Sequence, residues 1–538
     1  MTANMKRLIA GILAVSILVF GLAYVKYRFD IKNQKDTSSY LYYGELVEDT
    51  SKEDPLQYID EDFYMKEGFS SNLPLVVLET DGELPNYKTF DGDENEEIVY
   101  DDVDPWITGK IQLYDKEGSR NSINDKPVMS SYMKIKKRGH TSISFDKPQY
   151  YISLIDSEGN PAQENVFGMG KEDAWILNGS MADKSMIRNY IAYRTAAQIM
   201  EYAPRCQFCE VFIKKGDNYE YQGVYLMMDK IKQSPVRVDI DKCDTDNSYT
   251  SYLVRRDRFT NFDTMLDTYG RINGFDEGYI GVKYPSVKKQ TEKNLDYIEQ
   301  DFSRMEKVLY SEQESVFKQY SNYIDVESFA DYFLINEYFG NYDAGEHSTY
   351  MYKNQGEVLK IGPVWDFDQA MNNSVTDEMD PYTLAMQEKP LFKQLCKDSE
   401  FVNLLKTRYA IYRKDYFNDQ YMFSLMDETT KYLKSARERE WYRWAADYCD
   451  PDTENLGNFY LNDYEYRGEI ISRFNDDYNQ EIYNIKVYLS KHGKNVQILL
   501  TQLNDQTTLT TGLKGNRALF LFVVAALFFI PSIIINRK

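Results

Sequence analysis

The residues best suited to chemistry lie in Phe339-Gly340-Asn341-Tyr342-Asp343-Ala344-Gly345-Glu346-His347 and in Val364-Trp365-Asp366-Phe367-Asp368. Between them, residues 348–353 read as a strand, Asn354-Gln355-Gly356-Glu357 as a turn and residues 358–364 as the returning strand. An Asn/Gly turn between β-branched and aromatic runs signals a hairpin. An antiparallel hairpin brings its open ends together, which sets Asp343 beside Asp366. One carboxylate to take a hydroxyl proton and one to hold a divalent cation is the pair that phosphoryl transfer uses, and in protein kinases base and metal ligand follow in this order. Asp343 is therefore the candidate catalytic base and Asp366 the candidate metal ligand. Asp368 is a second ligand or outer partner for Mg²⁺ or Mn²⁺, hard ions that accept a few carboxylates and fill their shells with water and phosphate oxygens. Phe367 alternates to the opposite face and belongs to the core.

The elements that must position this pair are strand-rich first and helical later. Strands are predicted over residues 73–80, 111–114, 133–136 and 149–154, with a hairpin of residues 211–213 and 221–228 around Lys215-Gly216-Asp217-Asn218. In the fourth strand Pro148, Tyr150, Ile152 and Leu154 share one face by period-two alternation, so Lys147 faces away from the core. Ser180-Met181-Ala182-Asp183 fits a capping box ahead of a helix over residues 184–200. Helices follow over residues 294–310, 325–339, 401–412 and 482–488. The β-rich part spans about 71–290, and the helix-rich part, with the hairpin embedded in it, about 291–510.

Further segments complete a pattern: Arg138-Gly139-His140-Thr141-Ser142 with Lys147-Pro148, then Gln222-Gly223-Val224-Tyr225-Leu226, then the Asp343 loop and Trp365-Asp366-Phe367-Asp368. In this order, over roughly residues 70–420, the chain resembles the spore-coat H (CotH) kinase family. The resemblance implies an α+β, atypical and reduced protein-kinase-like two-lobed fold that moves the γ-phosphate of ATP, with Mg²⁺ or Mn²⁺, to a protein hydroxyl. The implied substrate is a Ser-rich envelope or spore-coat protein. It also implies that Arg138 and Lys147 meet the nucleotide phosphates, which need fixed counter-charge during transfer. Asp229 would pair with and orient Lys147, and Arg188 would reach the nucleotide site. The family often carries Asn after the loop His, where this chain has His347-Ser348. Asn341 lies close enough in sequence to compensate, and His347 reads as a structural loop histidine.

A chain of 538 residues, 43% hydrophobic, allows about two to four domains and a substantial core. The net charge of −22, from 63 basic and 85 acidic residues, argues against a nucleic-acid partner. The five cysteines are too scattered for a disulfide framework, and Cys206-Gln207-Phe208-Cys209 reads as a pair of thiols or a local disulfide rather than a zinc site. Two apolar runs, residues 8–24 after Met5-Lys6-Arg7 and residues 518–535 before Asn536-Arg537-Lys538, each approach the roughly 20 residues that cross a bilayer. The expected layout is an N-terminal transmembrane anchor over 1–28, an acidic linker over 29–70, a CotH-like kinase domain over 71–510 and a C-terminal transmembrane helix over 518–535. Basic flanks place both termini in the cytoplasm and the main domain outside the cell membrane. Two rival classes are a cell-envelope scaffold without turnover and a carbohydrate-acting enzyme with paired carboxylates.

Overall fold

Period-two alternation recurs on β1 (Leu75–Thr80), β2 (Ile107–Tyr114), β3 (Met129–Arg138), β4 (Gln149–Ile155), β5 (Ala174–Asn178), β6 (Cys206–Lys215) and β7 (Asn218–Asp229) in the computed structural model. It describes residues 42–506, apart from 81, 86, 91–97, 101–102, 117, 140, 261, 374–381, 450–463, 467–468 and 472–476. Alternate side chains, among them Val76, Ile111, Ile135, Ile152, Trp175, Val211 and Met227, meet in one buried cluster. β1 pairs antiparallel with β2 and parallel with β6, so the sheet returns on itself in the order β1-β6-β7-β5-β4-β3-β2. A closed sheet leaves no row of unpaired backbone groups.

A second, five-stranded antiparallel sheet follows. It comprises β8 (Tyr252–Asp257), β9 (Thr264–Leu266), β10 (Tyr279–Tyr284), β11 (Thr349–Lys353) and β12 (Lys360–Ile361), in the order β9-β10-β8-β11-β12. The predicted hairpin is β11 and β12, with Met351 opposite Ile361. It is not embedded among helices. β11 also pairs with β8, placing Thr349 opposite Arg256, so the hairpin completes a sheet begun about 90 residues earlier.

Helices α1 (Arg188–Ala196), α2 (Glu292–Leu309), α3 (Val326–Phe339), α4 (Ser399–Asp415), α5 (Asp419–Cys449) and α6 (Tyr478–Gln506) surround these sheets. Thr291 caps α2 through a full capping box with Asn294, and the Asp325 side chain caps α3. α1 starts at Arg188 rather than 184, because residues 183–187 are drawn into turns by the Asp183 carboxylate, which accepts from the backbone of Ser185 and Arg188.

Two expectations about the architecture are corrected. The strand-rich half is a closed seven-stranded barrel joined to a separate five-stranded sheet, not a reduced kinase-like two-lobed α+β fold, because β1 finds a partner on both sides. No helix among the described residues is long and apolar enough to cross a membrane, so the expected flanking transmembrane helices are not among the elements described; residues 8–24 and 518–535, where they were expected, lie outside the described residues. The segment 42–70, read as linker, packs instead: Asp49, Ile59 and Phe69 are buried, and Asp49 pairs with Arg120. Cys206 and Cys209 are free thiols on β6. Three positions apart on a strand they point to opposite faces, Cys209 into the barrel and Cys206 toward α1.

Candidate active site

The loop after α3 begins with Gly340 in the left-handed conformation (φ 59°), which ends the helix and sends the chain toward Asp343. The Asn341 amide donates to Asn336 Oδ1 at 3.1 Å and to the Trp365 carbonyl at 3.2 Å. It ties the two open ends of the hairpin together. Asp343 and Asp366 then feel each other's charge across the gap, as the hairpin register requires. Burial, reinforced by Asp366, pushes the Asp343 carboxyl up to about 6 against the opposing charge of Arg258.

Asp366 and Ser348 both hold left-handed backbones, φ 67° and 49°, a strained state for residues with a Cβ. Helix α1 enforces the first. The Asp366 N–H donates to the Tyr193 hydroxyl at 3.2 Å and the Phe367 N–H to Asn189 Oδ1 at 2.8 Å, while Tyr193 stacks on Trp365 and Phe367 is fully buried. Ser348 Oγ donates to Asp366 Oδ2 at 3.2 Å, so the residue that departs from the family's Asn still engages the candidate metal ligand. Asp366 and Asp368 lie within hydrogen-bonding reach of each other. Burial raises both carboxyls, and Asp368 is raised well above the usual range because Asp366, Asp183 and Asp343 add their negative charge. Arg138, at the end of β3 with its guanidinium 6.0 Å over the Trp365 ring, is the principal opposing cation.

Among the described residues no three or more His, Cys, Asp or Glu side chains converge as a ready-made metal cage. Mg²⁺ needs none, since one or two carboxylates suffice when water and phosphate supply the rest. Two buried, mutually repelling carboxyls facing one arginine fit such an ion, and Asp366 with Asp368 would hold it.

Three of the sequence-predicted cation-site residues lie elsewhere than expected. Lys147 is not on an open face. It is completely buried, with Nζ 2.5 Å from Glu440 Oε1 on α5 and 2.8 Å from the Val224 carbonyl, because α5 packs on the outside of the barrel and covers that face. Glu440 also accepts from the Val224 N–H at 2.6 Å and the Tyr448 hydroxyl at 2.6 Å. Burial lowers the Lys147 pKa even against this partner. The Gly223 motif position finds its reason here: a bulge on β7 gives Gly223 φ 105°, and a Cβ there would stand 2.2 Å from Glu440 Oε2. Asp229 does not pair with Lys147. It accepts from Arg205 Nε at 2.9 Å and faces Arg237 Nε at 3.2 Å. Arg188 does not reach a nucleotide site either, since Asp183, Glu481 and the Ala370 carbonyl occupy its guanidinium. Its work is to hold the chain just beyond Asp368.

His347 Nδ1 is buried with no hydrogen-bond partner among the described residues, and burial with the Arg258 charge holds its pKa down to about 4. It therefore stays neutral at ordinary pH. His140 lies outside the described residues. Sequence reasoning missed the site roles of Glu440, of Asp183, of Asp257, whose charge acts on Asp343 and Asp366, and of Arg258. The last two had a signal: Arg255-Arg256-Asp257-Arg258 is a dense charge run closing an otherwise buried strand, an arrangement that needs specific partners. Glu440 had none, being one acidic residue on a long charged helix.

A search of curated proteins found no match to the chain. The model of a protein family described as CotH kinase protein, however, matches residues 135–494, which include every site residue discussed above. With two thirds of its length matched by one family model, the chain belongs to the CotH kinase protein family.

Proposed function

We propose that this protein is an ATP-dependent protein kinase that phosphorylates a serine hydroxyl. The observation that carries the reading is the junction of Asp343 with Asp366 and Asp368 at the open end of one hairpin, opposite Arg138. Asp343, with its carboxyl near 6, is ionised at neutral pH yet basic enough to orient and accept a hydroxyl proton. Arg138 supplies fixed positive charge where a transferring phosphoryl group carries negative charge. A divalent cation on Asp366 and Asp368 would neutralise further phosphate charge and align the leaving group. Ser348 and α1 keep Asp366 oriented, and the neutral His347 adds no competing cation.

The family's name makes a Ser-rich coat or envelope protein the substrate class to try first. Incubation of the purified protein with labelled ATP, Mg²⁺ or Mn²⁺ and Ser-rich peptides should yield phosphoserine in the parent and none in Asp366→Asn. Equal labelling in both would remove the assignment of Asp366. The second reading, a scaffold without turnover, is favoured by one observation: Ser348, a weaker metal ligand than the family's Asn, follows His347. Nucleotide binding without phosphotransfer under all metal conditions would select it.

A further inference from the structure

Met133 and Ile135 point into the barrel, so Lys136 and Arg138 share the outer face of β3. Lys136 Nζ lies 5.0 Å over Trp106 and 5.2 Å over Tyr87. Lys230, just past the end of β7, lies 4.5 Å over Tyr151 with its Nζ 3.2 Å from that hydroxyl, and Tyr151 meets Trp106 edge to face at 5.0 Å. From the five-stranded sheet comes Lys283, whose Nζ is 2.7 Å from Asp263. In a chain of net charge −22, neither Lys136 nor Lys230 makes an ion pair among the described residues. Burial and mutual repulsion depress all three ammonium groups to about 8: Lys136 is pressed by Lys230, Arg138 and Lys283, Lys230 by Lys232 and Arg237, and Lys283 by Arg255 and Lys230. Barrel and sheet thus present like charges to one another, and the row ends at Arg138, which also acts on Asp366 and Asp368.

Half-buried ammonium groups without counter-ions are costly, and a polyanion between them would remove the cost. The strand repeat places Lys136 about 6–7 Å from Arg138, which is the spacing of a short phosphate chain. We propose that the nucleotide lies along this row of cations, its terminal phosphate at Arg138 and the carboxylates and its inner phosphates on Lys136, Lys230 and Lys283. These lysines, and not the buried Lys147, recognise the triphosphate. The aromatic faces of Trp106 and Tyr151 hold the lysine stems in place and border the nucleoside.

This assignment rests on the kinase reading, and calorimetric titration of the full chain with ADP, ATP and adenosine, with and without Mg²⁺, separates the two. The expected result is that Lys136→Met and Lys230→Met each weaken ADP binding tenfold or more, with unchanged melting and unchanged adenosine binding, while Lys136→Arg restores part of the affinity. Lys136→Gln and Lys230→Gln serve if a Met variant fails to fold. A parent that binds ADP no better than the lysine variants overturns this assignment and leaves the kinase reading standing. A parent that binds neither ADP nor ATP with Mg²⁺ or Mn²⁺ overturns both.

Discussion

Two charged regions of this protein look alike in sequence and behave oppositely in structure. Around Lys147, one cation and one anion are fully buried and meet each other, and Glu440 takes hydrogen bonds from Lys147, Val224 and Tyr448. Around Asp366, three carboxyls crowd one another, with Arg138 opposing Asp366 and Asp368 and Arg258 opposing Asp343, and the Asp366 backbone is held at positive φ. The first arrangement is complete without a ligand. The second is not, and it is where a phosphate and its metal ion would lower the energy. Burial alone does not mark a functional charge; lack of local compensation does.

The largest effect that tests this contrast is chemical. Asp343→Asn should lower turnover by about a hundredfold or more while nucleotide affinity holds, as expected for a lost positioned base. Single-turnover kinetics beside calorimetry would show it, and parent-like turnover would remove Asp343 from the chemistry. Lys147→Met should instead act on stability, by about 3–5 kcal/mol, because it leaves Glu440 charged and buried without its partner. Urea unfolding of the two variants would separate the regions cleanly, and a Lys147→Met protein as stable as the parent would contradict the closed-pair description. Gly223→Ala should cost about 1–3 kcal/mol, combining a Cβ at positive φ with the clash against Glu440.

The smallest effect has the opposite sign. Asp368→Asn should raise stability by up to about 1 kcal/mol, since it removes a carboxyl whose ionisation is opposed first by burial and then by the neighbouring carboxylates, in a site shaped for binding rather than for folding. The pH dependence follows the same logic. Asp343 binds its proton more tightly in the folded state, with a pKa of about 6, than in the unfolded chain, so stability falls as pH rises from about 4 to about 6 and levels off above. Activity moves the other way, rising through pH 6 as the base ionises. Denaturant titrations between pH 4 and 7 on the parent and Asp343→Asn should show the stability slope weakened in the variant.

What the sequence made legible was local. The hairpin that joins Asp343 to Asp366, the alternation of Tyr150, Ile152 and Leu154, and the caps at Thr291 and Asp325 each depend on residues within about 25 positions of one another. What it hid was long-range pairing. Nothing in residues 75–80 announces a parallel partner at 210–213, so barrel closure was not visible. Lys147 and Arg188 carry the right charge for phosphate binding, and only the packing of α5 and α6 against them reveals their carboxylate partners at 440 and 481. The motif order identified the family correctly while two of its cations proved structural, because a pattern of residue types records what must be present and not what each one touches.

The distance in sequence between Lys147 and Glu440 also sets a clock on biosynthesis. The barrel strands leave the ribosome well before α5, and at ~5–20 residues per second the 293 intervening residues take roughly 15–60 s to make. Once β7 has been made, the nascent barrel carries an ammonium group on a face that no helix yet covers. The first half of the chain is therefore expected to await the second, and a messenger truncated before residue 440 would yield a barrel with its outer face bare, a natural client for chaperones and proteases.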